Sequence, residues 1–113
     1  MSIEYSALNA DFAVAPQLSP EDLAAVAAAG FRSVINNRPD DEGGPDQPKN
    51  AAMEAAAHAA GLAYAFLPVI PSDIKPEEVA RMASLVDSLP KPTLAFCRSG
   101  ARAANLYRAA TGR

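Results

Sequence analysis

The chain has 113 residues, of which 50% are hydrophobic and 20% are charged, and its formal net charge at pH 7 is −3. This length predicts one domain, residues 1–113, with enough apolar side chains to form a core. The charge balance argues against nucleic acid or an anionic membrane as a partner. One cysteine and one histidine exclude an internal disulfide and a zinc site with the usual ligands, so we expect neither a metal nor another cofactor.

The start of the chain and its apolar runs bear on location. The first residues lack the charged and apolar regions of a signal peptide, and no apolar run approaches the length of a membrane span. A free thiol is typical of reducing compartments. These features together predict a cytoplasmic protein.

The first predicted elements are a strand and a helix. Loose alternation around Phe12 and Val14 predicts an edge strand. Ser19 then has the character of a helix N-cap, with Pro20 at the first helical position, and Gly30 is expected to end this helix.

The later elements alternate between apolar runs and breaks rich in glycine and proline. We predict strands at 31–37, 63–67 and 93–96, helices at 51–60, 76–89 and 102–110, and exposed loops at 38–48 and 68–75. Strands that alternate with helices predict a single α/β domain with a mostly parallel central sheet and helices on both faces. Ligands of such sheets bind at the carboxyl ends of the strands.

One hexapeptide directly after the last predicted strand is the main functional signal, and it reads Cys97-Arg98-Ser99-Gly100-Ala101-Arg102. A strand, a glycine-containing turn and a helix N-terminus would direct successive backbone N–H groups toward one point above the sulfur. The guanidinium of Arg102 adds planar, bidentate recognition of oxygens. This field favours the thiolate, which is the nucleophilic form. A buried structural cysteine is the alternative, but two arginines and a glycine within the hexapeptide favour a catalytic Cys97 above an anion-binding loop of residues 98–102.

Within that loop, Arg98 is expected to point outward and set the charge at the mouth of the site. Ser99 either donates its hydroxyl to the thiolate or satisfies the loop backbone. Gly100 and Ala101 are expected to contribute backbone amides to the anion.

Charged side chains in the two long loops are the other candidates. Arg38, at the end of a predicted strand, either assists anion binding or pairs with a nearby carboxylate. Asp40 is our candidate from an acidic run that continues through Asp41 and Glu42, one of which could act as acid or as water-positioning base; the alternative is a solvated loop. Asp73 could supply an acid from the second loop, or it is a turn residue before the next helix.

Over nearly its whole length the sequence resembles the bacterial family called β-lactamase-hydrolase-like protein, phosphatase-like domain. The resemblance lies in four blocks, residues 12–23, 30–40, 67–69 and 96–102. It implies a fold like that of small dual-specificity and protein tyrosine phosphatases. It also implies hydrolysis of a phosphate monoester through a thiophosphate intermediate on Cys97, with the equatorial oxygens held by the loop amides and Arg102.

The sequence departs from the tyrosine-phosphatase pattern in four places. The pattern has five residues between Cys and Arg, and here there are four. It has His before the Cys and Ser or Thr after the Arg, where this chain has Phe96 and Ala103. It places its acidic aspartate where this chain has Val69, so under this interpretation the proton would have to come from Asp73 or Asp40.

Two other functions remain open. The shorter Cys-X4-Arg loop also resembles the active loop of rhodanese-type sulfurtransferases, in which a tighter ring of amides cradles a persulfide and no strong general acid is needed. A non-enzymatic module that senses anions or redox state is the third hypothesis. The expected partners are a small oxyanion, a phosphoester or a sulfane-sulfur donor, and either a second copy of the chain (a homodimer) or a protein of sulfide metabolism.

Overall fold

The computed structural model describes residues 3–112. Its nine elements are, in chain order, β1 (Ser6–Asn9), β2 (Phe12–Ala15), α1 (Asp22–Ala28), β3 (Ser33–Asn36), α2 (Asn50–Ala59), β4 (Ala63–Phe66), α3 (Pro76–Ser88), β5 (Thr93–Phe96) and α4 (Ala101–Thr111). The prediction of an α/β domain with a mostly parallel sheet is confirmed. None of the helices within residues 3–112 is long and apolar enough to cross a membrane.

The five strands form one sheet in the order β1-β2-β5-β3-β4. β1 pairs with β2 in antiparallel orientation, and the other neighbours are parallel. The predicted edge position of the strand at Phe12 is therefore wrong, because β1 covers β2 and all four β2 residues are buried. β1 escaped prediction since its half-exposed sequence, Ser-Ala-Leu-Asn, carries little apolar alternation.

The start of α1 also differs from the prediction. The helix begins at Asp22 rather than at Pro20, and the backbone N–H of Ser19 donates to the Asp22 carboxylate at 2.8 Å. The Ser19 side chain therefore does not cap the helix as predicted. Instead, the Asp22 carboxylate accepts a hydrogen bond from the Ser19 backbone N–H. The predicted end is confirmed, since the helix stops at Ala28 and Gly30 takes a φ of 102°.

The two faces of the sheet are covered by different helix pairs. α1 and α2 pack on one face around Leu23, Val26 and Met53, and α3 and α4 pack on the other around Met82 and Leu106. The helix that follows β3 and the helix that follows β5 therefore leave on opposite faces, although these strands are neighbours. Such a switch point opens a crevice at the carboxyl ends of the two strands, which is where α/β sheets bind ligands.

Candidate active site

The first component of the site is the turn of residues 97–102 after the central strand β5, here called the cysteine loop. Cys97 is 1% exposed, and its Sγ accepts a hydrogen bond from the Gly100 N–H at 3.0 Å. Gly100 has a φ of 95°, and a Cβ at this position would lie 3.4 Å from the carbonyl carbon and oxygen of Ala15 on β2. The turn that directs an amide at the sulfur therefore depends on glycine.

The other loop groups divide between the backbone and the surface. The Ser99 hydroxyl accepts from the Ala101 N–H at 3.3 Å, so Ser99 serves the loop backbone, one of the two roles predicted for it. The Arg98 carbonyl accepts from the Gln17 N–H at 3.2 Å, which ties the loop to the end of β2. The Arg98 side chain is exposed at the mouth, in agreement with the sequence prediction.

Arg102 is 8% exposed, and its guanidinium is held from three sides. Nη2 and Nη1 donate to the two carboxylate oxygens of Glu42, at 2.9 and 3.0 Å, in an end-on bidentate pair. Nη1 also donates to the Val69 carbonyl at 3.1 Å and to the Asn37 carbonyl at 3.4 Å. These contacts fix the orientation of the guanidinium before any ligand binds.

One edge of the same guanidinium remains unused. Nε of Arg102 is buried and has no hydrogen-bond acceptor within the described part of the chain. Nη2, which carries two hydrogens, contacts Glu42 through one acceptor oxygen. The side-on pair of Nε–H and Nη2–H is therefore the part of Arg102 that a second oxyanion can use.

The second component is the segment of residues 38–48 after β3, here called the acidic loop. Its Arg38 is as buried as Arg102 and donates from Nε to Glu42 at 2.9 Å and from Nη1 to the Gln17 side chain at 3.1 Å. Pairing with a carboxylate was one of the two roles expected of Arg38. Partial burial opposes the charge on Glu42, but hydrogen bonds from Arg102 and Arg38 more than offset this and lower the pKa of its carboxyl group.

Internal hydrogen bonds hold the acidic loop in place. The Gln47 side chain accepts from the Gly43 N–H at 2.7 Å and donates to the Pro39 carbonyl at 2.8 Å. A Cβ on Gly43 would lie 2.6 Å from Nη2 of Arg38. The loop therefore presents Glu42 to both guanidiniums from a tightly fitted backbone.

Asp40 and Asp73, the predicted acids, have other contacts. The Asp40 carboxylate accepts from the N–H of Asn50 at 2.7 Å, at the N-terminus of α2. Asp73 is exposed and pairs with Lys75 at 2.8 Å. A depression of about 480 Å³ lies over the buried arginines, and its lining residues are Arg38, Glu42, Gly43, Pro71, Arg98 and Arg102. Neither predicted acid belongs to this lining, and neither does the buried Cys97, whereas Glu42 does.

The sequence analysis named Glu42 only as one of three neighbouring acids. The signal that distinguishes it is its spacing of four residues from Arg38, which allows the two side chains to meet on one side of a turn. Its contact with Arg102, 60 positions away, has no local signal.

Val69 occupies the position at which the tyrosine-phosphatase pattern places its acid. Its side chain is fully buried in the core cluster beneath α3 and α4. Its backbone N–H donates to the Asn37 carbonyl at 3.1 Å, and its own carbonyl accepts from Arg102. The backbone of this loop thus orients the arginine, while the side chain contributes only to packing.

Among residues 3–112 no group of three or more His, Cys, Asp and Glu side chains is arranged to hold a metal ion.

A model of the family described as Beta-lactamase hydrolase-like protein, phosphatase-like domain, matches residues 4–112. The chain belongs to this family.

Beta-lactamase hydrolase-like proteins of Xylella fastidiosa and Agrobacterium fabrum are 39% and 36% identical to this chain over 100 residues. The match covers 88% of this chain and 23% of each relative, so the chain spans about a quarter of the length of the curated relatives it matches.

Solved structures agree with the phosphatase-like fold. A "putative phosphatase" from Neisseria meningitidis is 31% identical with a TM-score of 0.83, over 90% of this chain and 72% of that one. A "putative phosphatase" from Shewanella putrefaciens is 22% identical with a TM-score of 0.77, over 94% and 71% of the two chains. The core catalytic domain of a PP-IP phosphatase from S. cerevisiae is 13% identical with a TM-score of 0.72, over 95% and 64%. The last two are similar in fold alone. The predicted family and fold class are confirmed.

Proposed function

We propose that this domain is a cysteine-dependent phosphatase that hydrolyses a phosphate monoester, with Cys97 as the nucleophile and Arg102 as the main anion-binding side chain. One observation carries the proposal: Arg102 keeps Nε buried and without an acceptor in the described chain, while Glu42 holds the other end of the guanidinium. A buried donor without an acceptor costs free energy, so an oxyanion bound there would be stabilised. Membership of a phosphatase-like family supports the same function.

The proposed reaction has two steps. The Cys97 thiolate attacks phosphorus, so that an S–P bond forms while the ester P–O bond breaks; the leaving oxygen takes the bonding electron pair and receives its proton from solvent. Water then attacks the cysteinyl phosphate, which forms a P–O bond, breaks the S–P bond, returns the thiolate and releases the proton of the water to the product phosphate or to solvent. Nε and Nη2 of Arg102 would hold two phosphoryl oxygens throughout.

The Gly100 N–H has a specific part in this scheme. It lies 3.0 Å from Sγ and stabilises negative charge on sulfur both before attack and when the thiolate leaves. In the tyrosine-phosphatase pattern a hydroxyl after the arginine eases the departure of the thiolate. Here Ala103 is fully buried at that position, so the loop amide is the donor that can take this role.

The test is turnover of p-nitrophenyl phosphate by the purified domain and by Cys97→Ser. The serine variant removes the polarisable thiolate with little change in volume, and we expect a loss on the order of 10³-fold or more. Activity that survives in Cys97→Ser would contradict a cysteine nucleophile. Arg81→Gln, an exposed arginine on α3, is the matched control for purification and should turn over like the natural chain.

A sulfurtransferase is the second candidate, favoured by the short loop that brings the Gly100 N–H onto Sγ and by a buried valine where a phosphatase would place its acid. In this reaction Cys97 attacks the outer sulfur of thiosulfate, the S–S bond breaks, and sulfite leaves as a stable anion. The persulfide then passes its sulfur to cyanide or to a thiol.

Mass spectrometry separates the two candidates. A transferable adduct of about 32 Da, one sulfur, that forms with thiosulfate and is absent from Cys97→Ser would favour the sulfurtransferase. Insertion of one residue after Gly100 gives a second arm, because it restores the phosphatase loop length. The insertion should abolish sulfur transfer from thiosulfate to cyanide in a sulfurtransferase, and preserve or raise phosphoester hydrolysis in a phosphatase.

A further inference from the structure

The group that leaves from phosphorus determines whether a phosphatase site needs a proton donor. An alkoxide is a strong base and leaves slowly unless an acid protonates it in the transition state. A phosphate that leaves from a phosphoanhydride is a weak base and departs as an anion. The positions of the carboxyl groups therefore limit which substrates this site can cleave.

Most carboxylates of the two loops that flank the site already have other partners. Asp40 accepts the first N–H of α2, at 2.7 Å from Asn50. Asp41 forms an exposed ion pair with Lys49, the residue before α2, and Asp73 forms one with Lys75 of its own loop. None of these three belongs to the lining of the depression over Arg102.

Glu42 is the carboxylate that does line the depression, and its role there is to hold cations. Both of its oxygens accept hydrogen bonds from Arg102, and one also accepts from Arg38. The two guanidiniums keep it ionised at neutral pH, so it has no proton to give. Val69, at the position of the phosphatase acid, is a fully buried hydrocarbon side chain.

The charge of the lining points to a substrate with more than one anionic group. Three arginines face one carboxylate there, and the exposed guanidinium of Arg98 lies at the mouth. A phosphoryl group bound to Arg102 would leave Arg98 near the departing part of the substrate. Such a cation stabilises a leaving group that is itself an anion.

We infer that this site cleaves phosphoanhydrides in preference to alkyl phosphate esters, with Arg98 binding the departing phosphate. The inference rests on the phosphatase function proposed above. The Cys97 thiolate attacks the terminal phosphorus, the S–P bond forms, and the bridging P–O bond breaks, so that the remaining phosphate leaves with the bonding electron pair and takes no proton from the protein. Water then cleaves the S–P bond, and its proton goes to the product phosphate or to solvent.

The experiment compares kcat/KM for three probes with the natural chain: inorganic pyrophosphate, p-nitrophenyl phosphate and ethyl phosphate. General acids contribute about 10²- to 10⁴-fold, so we expect ethyl phosphate to react at least about 100-fold more slowly than the other two. Arg98→Gln should lower the ratio of pyrophosphate to p-nitrophenyl phosphate turnover by about tenfold, because the charge at the leaving group is lost. Arg81→Gln, an exposed arginine on α3, should leave the ratio unchanged.

Different results would overturn the anhydride preference and the phosphatase function. Comparable kcat/KM for ethyl phosphate and pyrophosphate, with both lost in Cys97→Ser, would overturn the anhydride preference and leave the phosphatase standing. An unchanged substrate ratio in Arg98→Gln would remove Arg98 from the leaving-group site. Absence of any Cys97-dependent turnover of the three probes would overturn the phosphatase itself, and this inference with it.

Discussion

The cysteine loop and the acidic loop lie at neighbouring strand ends and meet at Arg102, yet they are built differently. The cysteine loop is short, and its shape follows from residues within it: Gly100 takes a positive φ and directs its N–H at Sγ. The acidic loop is longer, and it contacts the site through Glu42, which pairs with Arg102, 60 positions away in the chain. Cys97 is thus positioned by local geometry, and Arg102 by tertiary contacts.

This difference predicts which contacts a substitution in each loop would disturb. A change in the cysteine loop should affect the sulfur and its donor directly. A change in the acidic loop should act through Arg102 and Arg38, whose buried guanidiniums depend on the Glu42 carboxylate. Variants that change one loop at a time can separate the effect on the sulfur from the effect on the two arginines.

The largest expected effect on stability comes from Glu42→Gln. This change leaves two largely buried guanidiniums without their counter-charge, and we expect the free energy of unfolding to fall by about 2–3 kcal/mol in urea titrations at pH 7. Asp41→Asn, which removes an exposed pair with Lys49 on the same loop, is the matched control and should cause no measurable change. Equal losses in the two variants would mean that the ion pairs of Glu42 with Arg102 and Arg38 contribute nothing specific to stability.

Next in size is the effect of Arg102→Lys on anion affinity. An ammonium group cannot bond Glu42 end-on and an oxyanion side-on at the same time, so we expect phosphate binding or inhibition to weaken by about tenfold, or 1.4 kcal/mol. Arg108→Lys, an exposed arginine on the same helix, should leave the affinity unchanged. An unchanged affinity in Arg102→Lys would show that this guanidinium does not bind the anion.

A smaller effect is expected from Gly43→Ala. The new Cβ would lie 2.6 Å from Nη2 of Arg38, so that side chain must move and loosen its hold on Glu42. We expect roughly threefold weaker phosphate binding and little loss of stability, because the far end of a side chain can adjust. Gly44→Ala should give the reverse result. A Cβ at Gly44 meets open space, but its φ of 85° strains any residue other than glycine, so we expect a loss of about 1 kcal/mol in stability and no change in phosphate affinity. Identical behaviour of the two variants would contradict this account of the acidic loop.

The smallest effect is a pH dependence. The pKa of Glu42 is lowered in the folded state, because hydrogen bonds from Arg102 and Arg38 outweigh the opposing effect of burial. Its ion pairs therefore contribute fully above the ordinary value of about 4.5 and are lost as the pH falls through the lower folded-state pKa. The stability difference between the natural chain and Glu42→Gln should shrink in this acidic range. A difference that stays constant down to pH 3 would show that the Glu42 charge is not its source.

Sequence patterns predicted those parts of the fold that depend on nearby residues. Glycine after α1 and α2, the buried run before Cys97 and the strand–turn–helix order around it all follow from backbone preferences over a few positions. The same reasoning missed β1, since a half-exposed edge strand is stabilised by its pairing with β2 rather than by its own composition.

The candidate site shows the same distinction between features fixed by nearby residues and features fixed by tertiary contacts. The sequence alone determined that a single cysteine would stand at a strand end beneath a glycine turn, with an arginine one helical turn away, because these relations are fixed within six residues. Only the tertiary structure decided that Glu42 would hold Arg102, that Asp40 would accept the first amide of α2, and that Val69 would be buried. Those outcomes depend on which loops the sheet order brings together and on which buried charges must find partners, and neither is encoded by residues near one another in the chain.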